Sequence, residues 1–225
     1  MNQPIRQALT VEALFDLSHT LAAPLLADKT YPWEALAELG EFILTLGATL
    51  PADYVCVQPG VWVHETARVA PTAYLGAGTI IGPDTEVRHG AFIRGNALVG
   101  AGAVVGNSTE LKNVILFDGV QVPHYNYVGD SVLGYLAHMG AGSITSTVKS
   151  DRTLVSIRVG EEILPTGRKK VGAMLGDRVE VGCNSVLNPG TVVGRDSRVY
   201  PLSCVRGFVP ERTIYKKQGE LADIR

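Results

Sequence analysis

An apolar residue recurs at every sixth position from residue 57 to residue 117, and this period restricts the chain to few folds. The eleven positions, all aliphatic or aromatic, are Val57, Val63, Val69, Leu75, Ile81, Val87, Ile93, Val99, Val105, Leu111 and Phe117. The next position favours a small residue, as at Gly76, Gly82 and Gly100. Each hexad supplies one short strand and one corner, so three hexads close a triangular coil with the apolar residue inside. The period therefore predicts a mainly β chain that folds as a parallel β-helix, and it leaves no room for a helical period.

The period is interrupted at two places. It shifts after Phe117 and Pro123, which indicates a distorted coil of the kind that concentrates at functional sites. Residues 146–170 lose it entirely and are predicted to form a loop outside the solenoid, since long loops in compact domains are usually functional or disordered. The period returns at Leu175, Val181, Leu187, Val193, Val199 and Val205. We therefore expect a β-helix domain over residues 55–207 with an excursion at 146–170, and a polar tail over residues 208–225 that leaves the solenoid.

Residues 1–54 do not share the six-residue period. Apolar residues at steps of three and four from Val11 to Leu25 predict an amphipathic helix with Thr10 as a possible N-cap. A second helix is expected to begin near Pro32 and to end at Gly47. We expect a two-helix cap that covers the first open coil near residues 55–63, because an exposed strand edge invites aggregation. Binding of a partner by these helices is the alternative.

The composition argues against several classes of protein. A net charge of −2 is unlike the basic excess of nucleic-acid-binding proteins. No apolar run is long enough for a membrane span, and the first residues lack the apolar core of a signal peptide. The three cysteines, Cys56, Cys183 and Cys204, have no metal-ligand spacing. These features predict a cytoplasmic protein with reduced thiols that binds neither nucleic acid nor membrane.

Large polar residues occupy some of the positions where the pattern favours glycine or alanine. Arg94 and Lys112 are eighteen residues apart, which is one full coil, so they should stack on one edge of the prism. Two stacked cations repel unless an anion lies near them, and phosphate suits an arginine fork beside a lysine. Glu110 and Asp118 could equally neutralise them, so the spacing leaves both readings open.

His124 follows Pro123 at the shift in the period. Histidine is the usual general base near neutral pH, although a lone histidine is more often structural. The spacing puts His124 on a different edge from Arg94 unless the shift rotates it back. The glycines of Gly140-Ala141-Gly142 would allow close backbone approach to a ligand or an oxyanion, or they would only turn corners.

Three stretches carry a resemblance to a known family: Gly106-Asn-Ser-Thr-Glu-Leu-Lys112, Pro123-His-Tyr-Asn-Tyr-Val-Gly-Asp130 and Gly140-Ala-Gly142. Together they resemble the acetyltransferase domain of the bifunctional glucosamine-1-phosphate acetyltransferase / N-acetylglucosamine-1-phosphate uridylyltransferase, and they are similar to archaeal sugar-phosphate nucleotidylyltransferases. The resemblance covers about residues 60–210, and the uridylyltransferase domain has no counterpart in the sequence. It implies a left-handed β-helix, an exception to the right-handed crossover rule, and a homotrimer with sites between subunits.

The resemblance also implies roles for individual residues. His124 matches the general base that takes a proton from an amino group as it attacks the thioester of acetyl-CoA. Arg94 and Lys112 match the cations that bind a sugar phosphate, and Tyr127 matches another ligand of that phosphate. Ala141 matches a backbone contact to acetyl-CoA. We place Glu110 with the substrate ligands and Gly140 with the acetyl-CoA contacts, and we expect no essential metal.

The sequence departs from the family at several of the matched positions. A sugar-binding asparagine of the family is His138 here, and an Asn-Tyr pair that contacts acetyl-CoA and the acceptor is Thr147 and Val148. A serine and an alanine that contact coenzyme A are Cys183 and Pro201 here. A C-terminal arginine of the family falls near Gln218, beside Lys216 and Lys217. We place His138 with the acceptor ligands and Thr147, Cys183, Pro201 and Lys217 with the coenzyme ligands.

These residues give three hypotheses. The first is an acetyltransferase that uses acetyl-CoA to acylate an amino sugar phosphate or a nucleotide-linked amino sugar. The second is a non-catalytic solenoid that binds a sugar phosphate and regulates a separate nucleotidyltransferase. The third is a metal hydratase of the γ-carbonic-anhydrase type, which needs three histidines with two of them close in sequence. The histidines at 64, 89, 124 and 138 lack such a pair, so the sequence disfavours the third hypothesis.

Overall fold

Short parallel strands on three walls make up most of the chain in the computed structural model, which describes residues 6–217 and 220–223. Each strand pairs with a strand of the next coil, usually eighteen residues along the chain, as Tyr74 pairs with Phe92. Between strands the backbone turns a corner, and glycine, asparagine or aspartate often takes the left-handed conformation there. The fold is the left-handed parallel β-helix that the sequence predicts.

The strands fall into three walls, taken in the order in which the chain passes them. The first wall holds β3 (Arg68–Val69), β6 (Glu86–Val87), β9 (Val104–Asn107), β11 (Gln121–His124), β13 (His138–Met139), β18 (Glu180–Val181), β21 (Arg198–Val199) and β24 (Thr213–Lys217). The second wall holds β4 (Tyr74–Leu75), β7 (Phe92–Ile93), β14 (Ile144–Thr145), β19 (Val186–Leu187) and β22 (Cys204–Val205). The third wall holds β2 (Val61–His64), β5 (Thr79–Ile81), β8 (Ala97–Val99), β17 (Ala173–Leu175), β20 (Thr191–Val193) and β23 (Phe208–Val209). Two longer strands, β10 (Glu110–Leu116) and β12 (Tyr127–Leu133), run from the second wall into the third without a break.

The apolar residues of the six-residue period fill the prism. Every predicted inward residue from Leu75 to Leu111 is buried, and so are those from Leu175 to Val205. Phe117 is also buried, but outside the prism: Leu116 pairs with the inward Val99, and the Phe117 ring packs against Phe15 of the N-terminal segment. The prediction for Val57 was wrong, because this residue is exposed in β1 (Tyr54–Gln58), which pairs with β2 in the antiparallel direction. The solenoid therefore begins at β2.

The shift in the period lies at one corner between the second and third walls. Leu111 pairs with Ile93, eighteen residues away, whereas Val114 pairs with Ala97, only seventeen residues away. The coil therefore loses one residue between Leu111 and Val114, at Lys112-Asn113. The next coil keeps the shorter length, since Lys112 pairs with Gly129. The distortion lies a few residues earlier than the sequence pattern indicates.

The N-terminal segment consists of short helices. These are α1 (Val11–Leu14), a 3-10 turn (Leu17–His19), α2 (Ala23–Ala27), a second 3-10 helix (Pro32–Ala37) and α3 (Leu39–Gly47). Thr10 caps α1 as predicted, because its hydroxyl accepts a hydrogen bond from the Ala13 N–H at 3.3 Å. The single helix predicted from Val11 to Leu25 is broken into pieces.

The predicted cap over the first coil is only part of what the segment covers. The end of α3 packs on that coil, since a Cβ added to Gly47 would meet the Trp62 ring. The rest of the segment runs along the solenoid, since the Asp177 N–H donates to Leu14 O and the Asp118 N–H donates to His19 O. The amide of Asn113 also donates to Leu36 O, so the segment covers the third wall and its two corners. An amphipathic pattern defines an apolar face but not the surface that buries it, which explains the error. Among the described residues no helix combines the length and the apolar character that crossing a bilayer requires.

The excursion and the C-terminal tail also contain strands. Within the predicted loop, β15 (Ser156–Val159) and β16 (Glu162–Pro165) form an antiparallel hairpin. The prediction that the chain leaves the solenoid at residue 208 was wrong, because β24 pairs with β21 in parallel and buries Tyr215. The polar composition of the tail hid the pairing of Tyr215 with Val199. The last strand, β25 (Glu220–Asp223), pairs with β24 in the antiparallel direction.

Candidate active site

Arg94 and Lys112 stack on the same corner, as their eighteen-residue spacing predicts. The Arg94 N–H donates to Leu111 O, and Lys112 pairs with Gly129 of the following coil. The later coils continue this column through Ser146, Asn188 and Arg206, because the Ser146 N–H donates to Leu187 O and the Asn188 N–H donates to Val205 O. We call this column, between the second and third walls, the cation corner.

Carboxylates neutralise both cations in this structure. Arg94 Nη1 donates to Glu110 Oε1 at 2.9 Å, and this hydrogen bond raises the pKa of the Arg94 guanidinium. Lys112 Nζ lies 3.1 Å from Asp130 Oδ2. Of the two carboxylates that the sequence offered as neutralising partners, Glu110 serves and Asp118 lies on another corner, beside the Ala101 N–H.

Asp130 and Asn113 belong to this site, and the sequence analysis missed both. The Asp130 side chain is only 4% exposed, and it accepts hydrogen bonds from Lys112 Nζ and from Asn113 Nδ2, the latter at 2.9 Å. Both residues have a positive φ, which asparagine and aspartate tolerate best. They sit where the coil loses a residue, so the shortened corner packs a buried carboxylate directly behind Lys112. An Asn or Asp at the point of a register shift was the available signal.

Tyr127 and Thr147 lie beside the same corner. Glu110 pairs with Tyr127 in register on the second wall, and a Cβ added to Gly129 would lie 2.6 Å from the Tyr127 hydroxyl. The tyrosine side chain therefore extends along the wall toward the cation corner. The same added Cβ would meet the Thr147 methyl group at 3.0 Å, and Thr147 is buried. The structure thus puts Thr147 near the cations and not near Ala141.

His124 lies on the corner between the first and second walls, with an exposed side chain. Asn107 precedes it by one coil and His89 by two, since Asn107 pairs with His124 and the Asn107 amide donates to His89 O at 2.7 Å. This arrangement agrees with the spacing, which puts His124 and Arg94 on different edges. We call this column the histidine corner.

Four of the predicted coenzyme contacts lie on the histidine corner, in the coils that follow His124. The Gly142 N–H donates to His124 O, which brings Gly140 and Ala141 next to the histidine. The Asn184 N–H then donates to Ala141 O, and the Leu202 N–H donates to Cys183 O, so Ala141, Cys183 and Pro201 form one line. In the part of the chain that the structure describes, no acceptor takes the Ala141 N–H. Counted from His124 to Pro201, three steps between neighbouring strands span about 14 Å.

The second wall connects the two corners. Gly129, which lies beside Lys112, is five positions after His124, so the two Cα atoms are at most about 17 Å apart. Tyr127 lies between the two corners on this wall. The wall can hold an anion at one corner while an imidazole exchanges a proton at the other.

His138 and Lys217 are not part of this arrangement. His138 pairs with Gln121 on the first wall, and its Nδ1 lies 2.8 Å from Glu180 Oε2. It reaches only a ligand that extends around the histidine corner. Lys217 ends β24, and its side chain lies outside the part of the chain that the structure describes. Among the described residues, no group of three histidine, cysteine or acidic side chains is arranged to hold a metal ion.

Comparison with known proteins gives one family match. Residues 79–217 match the model of the GMPPB C-terminal domain. The bifunctional sugar-1-phosphate nucleotidylyltransferase/acetyltransferase of Sulfurisphaera tokodaii is 30% identical over 73% of this chain and 41% of its own length. The bifunctional protein GlmU of Methanococcus maripaludis is 28% identical over 84% of this chain and 47% of its own length. The chain therefore spans less than half the length of these two relatives.

A bacterial relative is closer to this chain in length. The uncharacterized acetyltransferase YaiX of Escherichia coli strain K12 is 34% identical over 62% of this chain and 68% of its own length. Among solved structures, a hexapeptide transferase family protein from Anaplasma phagocytophilum is 18% identical, with a TM-score of 0.42, over 73% of this chain and 79% of that chain.

Proposed function

The chain belongs to the GMPPB C-terminal domain family, and on that premise we propose that it is an acetyltransferase. It moves the acetyl group of acetyl-CoA to the amine of an amino sugar phosphate or a nucleotide-linked amino sugar. Three relatives with acetyltransferase or bifunctional names support the reaction class. The single observation that carries the proposal is the second wall, which joins an exposed histidine at one corner to two stacked cations at the other.

His124 acts as the general base. The neutral imidazole takes a proton from the amine of the acceptor as the nitrogen attacks the carbonyl carbon of the thioester. A C–N bond forms, and the C–S bond breaks when the tetrahedral intermediate collapses. The proton then passes from the imidazolium to the departing sulfur, so coenzyme A leaves as a thiol.

The histidine corner holds the donor. Acetyl-CoA lies along the line of Ala141, Cys183 and Pro201, with its thioester next to His124. The Ala141 N–H, which lacks an acceptor among the described residues, donates to the thioester oxygen as negative charge develops on it. Gly140 keeps Ala141 in this position, because a side chain at residue 140 would meet the backbone of the next coil and push the two coils apart. Thr147, at the other corner, contacts the acceptor side of the site.

The cation corner holds the phosphate of the acceptor. Without substrate, Glu110 and Asp130 hold Arg94 and Lys112 in position. A bound phosphate replaces Glu110 as the partner of Arg94, and it binds Lys112 while Lys112 stays paired with Asp130. Tyr127 donates its hydroxyl to the same phosphate. His138 contributes from the first wall only to an acceptor that extends around the histidine corner.

The protein acts as a homotrimer with its sites in the grooves between protomers. Tyr74 and Phe92 support this arrangement, because they are exposed side by side on the second wall, next in line to Glu110 and Tyr127. Paired aromatic side chains on an exposed wall suit burial against another copy. A neighbour at this wall would also exclude water from the phosphate site and strengthen its electrostatic interactions.

Thiol release from acetyl-CoA tests the proposal. Glucosamine 1-phosphate and a UDP-linked amino sugar serve as acceptors, and the wild type is compared with His124→Ala and His89→Ala. His89 is the matched control, because it is an exposed histidine on the same corner two coils away. We expect His124→Ala to lose about a hundredfold or more in kcat and His89→Ala to lose less than about threefold.

Two results would contradict this assignment. Equal activities of the two variants would remove His124 as the base. Binding of the sugar phosphate without thiol release by the wild type would favour the non-catalytic solenoid that the sequence left as an alternative.

A further inference from the structure

A cleft of about 650 Å³ lies between the β15–β16 hairpin and the far end of the cation corner. Asn188 and Arg206 border it on the solenoid, and Ser156, Arg158 and Ile163 border it on the hairpin. Four strand spacings separate Lys112 from Arg206 along the corner, which is about 19 Å. The cleft is therefore distinct from the site between Lys112 and His124. Its volume is in the range of small-molecule pockets, about 300–1,000 Å³.

The lining of the cleft is cationic. Lys149, Arg158 and Arg206 contribute three positive charges, and no carboxylate belongs to the described residues that line it. Lys149 Nζ lies 3.4 Å from Asp151 Oδ2, so one of these charges is shared. Neither Arg158 nor Arg206 has a carboxylate partner among the described residues. This differs from the cation corner itself, where Arg94 and Lys112 are both paired.

Unpaired guanidinium groups that face one cleft favour a bound anion. Like charges around one cleft repel each other, and an anion between them relieves that repulsion. Arginine presents a planar fork of donors that fits phosphate oxygens in pairs. The charge of the cleft therefore points to a phosphate or a diphosphate.

Apolar side chains supply a second kind of contact in the same cleft. Val148 is 44% exposed and Ile163 is 58% exposed, and Pro189 lines the cleft with them. A phosphate ion gains nothing from contact with these apolar side chains, whereas a flat nucleobase would bury them. Hydroxyl and amide groups, such as those of Ser156 and Asn188, suit the hydroxyls of a ribose.

We propose that this cleft binds a nucleoside phosphate, with the phosphates on Arg158 and Arg206 and the base against Val148 and Ile163. The proposal rests on the proposed function only for the choice of ligands. A nucleoside phosphate reaches this protein from two sources, the nucleotide of a nucleotide-linked amino sugar and the nucleotide portion of coenzyme A. The cleft lies on the same corner as Arg94 and Lys112, so a ligand there continues the line of the acceptor phosphate.

Isothermal titration calorimetry without acetyl-CoA tests the proposal. The probes are UDP, GDP, adenosine 3′,5′-bisphosphate and inorganic phosphate. We expect Arg158→Gln and Arg206→Gln each to weaken nucleotide binding about tenfold. Arg198→Gln is the matched control, because it removes an exposed arginine from the first wall, and its effect should be less than twofold. Ile163→Ser should weaken the nucleotide but leave inorganic phosphate unchanged.

The probes distinguish the two sources. Tighter binding of UDP or GDP, with loss in both arginine variants, assigns the cleft to the acceptor. The same pattern for adenosine 3′,5′-bisphosphate assigns it to coenzyme A, and either result supports the proposal. Binding that ignores both arginine substitutions, no nucleotide binding at millimolar concentration, or phosphate binding as tight as that of the nucleotides would overturn it.

The outcome is also separable from that of the acetyltransferase proposal. A protein that binds UDP through Arg158 and Arg206 but releases no thiol from acetyl-CoA supports the cleft and refutes the enzyme. Turnover that depends on His124 but not on either arginine, together with unchanged nucleotide affinity, refutes the cleft alone. Melting temperatures show whether each variant is folded, and we expect little change because neither guanidinium pairs with a described carboxylate.

Discussion

Lys112→Met tests both the buried carboxylate behind the cation corner and the role of Lys112 in phosphate binding. The Asp130 side chain is 4% exposed, and among the described residues Lys112 Nζ and Asn113 Nδ2 donate hydrogen bonds to it. Removing the ammonium leaves a buried carboxylate with one neutral donor. Loss of a charged hydrogen bond to a buried group costs about 1–3 kcal/mol, so we expect the free energy of unfolding to fall by that amount.

Lys29→Met is the matched control for this measurement. Lys29 Nζ lies 2.7 Å from Glu38 Oε1, so the geometry of the pair is at least as good, but the Glu38 side chain is 58% exposed. Solvent screens an exposed pair, so Lys29→Met should lower the free energy of unfolding by much less than Lys112→Met does. Urea unfolding followed by circular dichroism compares the two variants. Equal losses would refute the argument that burial of Asp130, and not the ion pair as such, determines the cost.

The same variant changes substrate binding. A unit charge at about 4 Å from a phosphate contributes about 1–4 kcal/mol at the effective dielectric of a protein surface. The lower half of that range corresponds to about tenfold in affinity. We expect Lys112→Met to raise the KM for a sugar phosphate about tenfold with little change in kcat, and Lys29→Met to leave both unchanged. A fall in kcat with an unchanged KM would place Lys112 in the chemical step.

Three further predictions follow from particular contacts. Tyr127→Phe should raise the acceptor KM about threefold to tenfold without lowering the melting temperature, whereas Tyr74→Phe on the same wall should change neither. Burial raises the pKa of Asp177 above its ordinary 3.8, so the cost of its buried charge is present above the raised pKa and disappears as the pH falls toward 3.8. The stability of the wild type relative to Asp177→Asn should therefore rise as the pH is lowered through that window, and a constant difference in urea unfolding would contradict the argument. Gly106→Ala should cost several kcal/mol because its Cβ would collide with a carbonyl of the next coil, whereas Gly102→Ala, with open space at its Cβ and φ of +61°, should cost about 1 kcal/mol.

The sequence predicts the prism well because its six-residue period is a direct record of which side chains point inward. Every predicted position from Leu75 to Leu111 is buried in the prism, and the period fails at Phe117, one residue past the inward Leu116. The period misleads where an apolar residue packs somewhere other than inside the prism. Val57 continues the period by number but belongs to an antiparallel strand, and the apolar faces of the N-terminal helices do not reveal that they cover the third wall.

The candidate site could be predicted in part. Stacking of Arg94 and Lys112 follows from their spacing alone, and the structure agrees with it. The buried partner Asp130 could not be found in this way, because the shift in the apolar period becomes visible in the sequence only after Phe117 and does not show that the missing residue lies at Lys112-Asn113. The hairpin cleft could not be predicted from the sequence either. Arg158 of the excursion and Arg206 of the solenoid both line it, and no sequence period relates these two residues.

A structure of the protein with coenzyme A and an amino sugar phosphate would measure the central distance most directly. If the second wall is the active site, the amino nitrogen will lie about 3 Å from an imidazole nitrogen of His124, while the phosphate contacts Arg94 and Lys112. A phosphate bound away from those two cations, or an amine far from His124 with coenzyme A in place, would contradict the account.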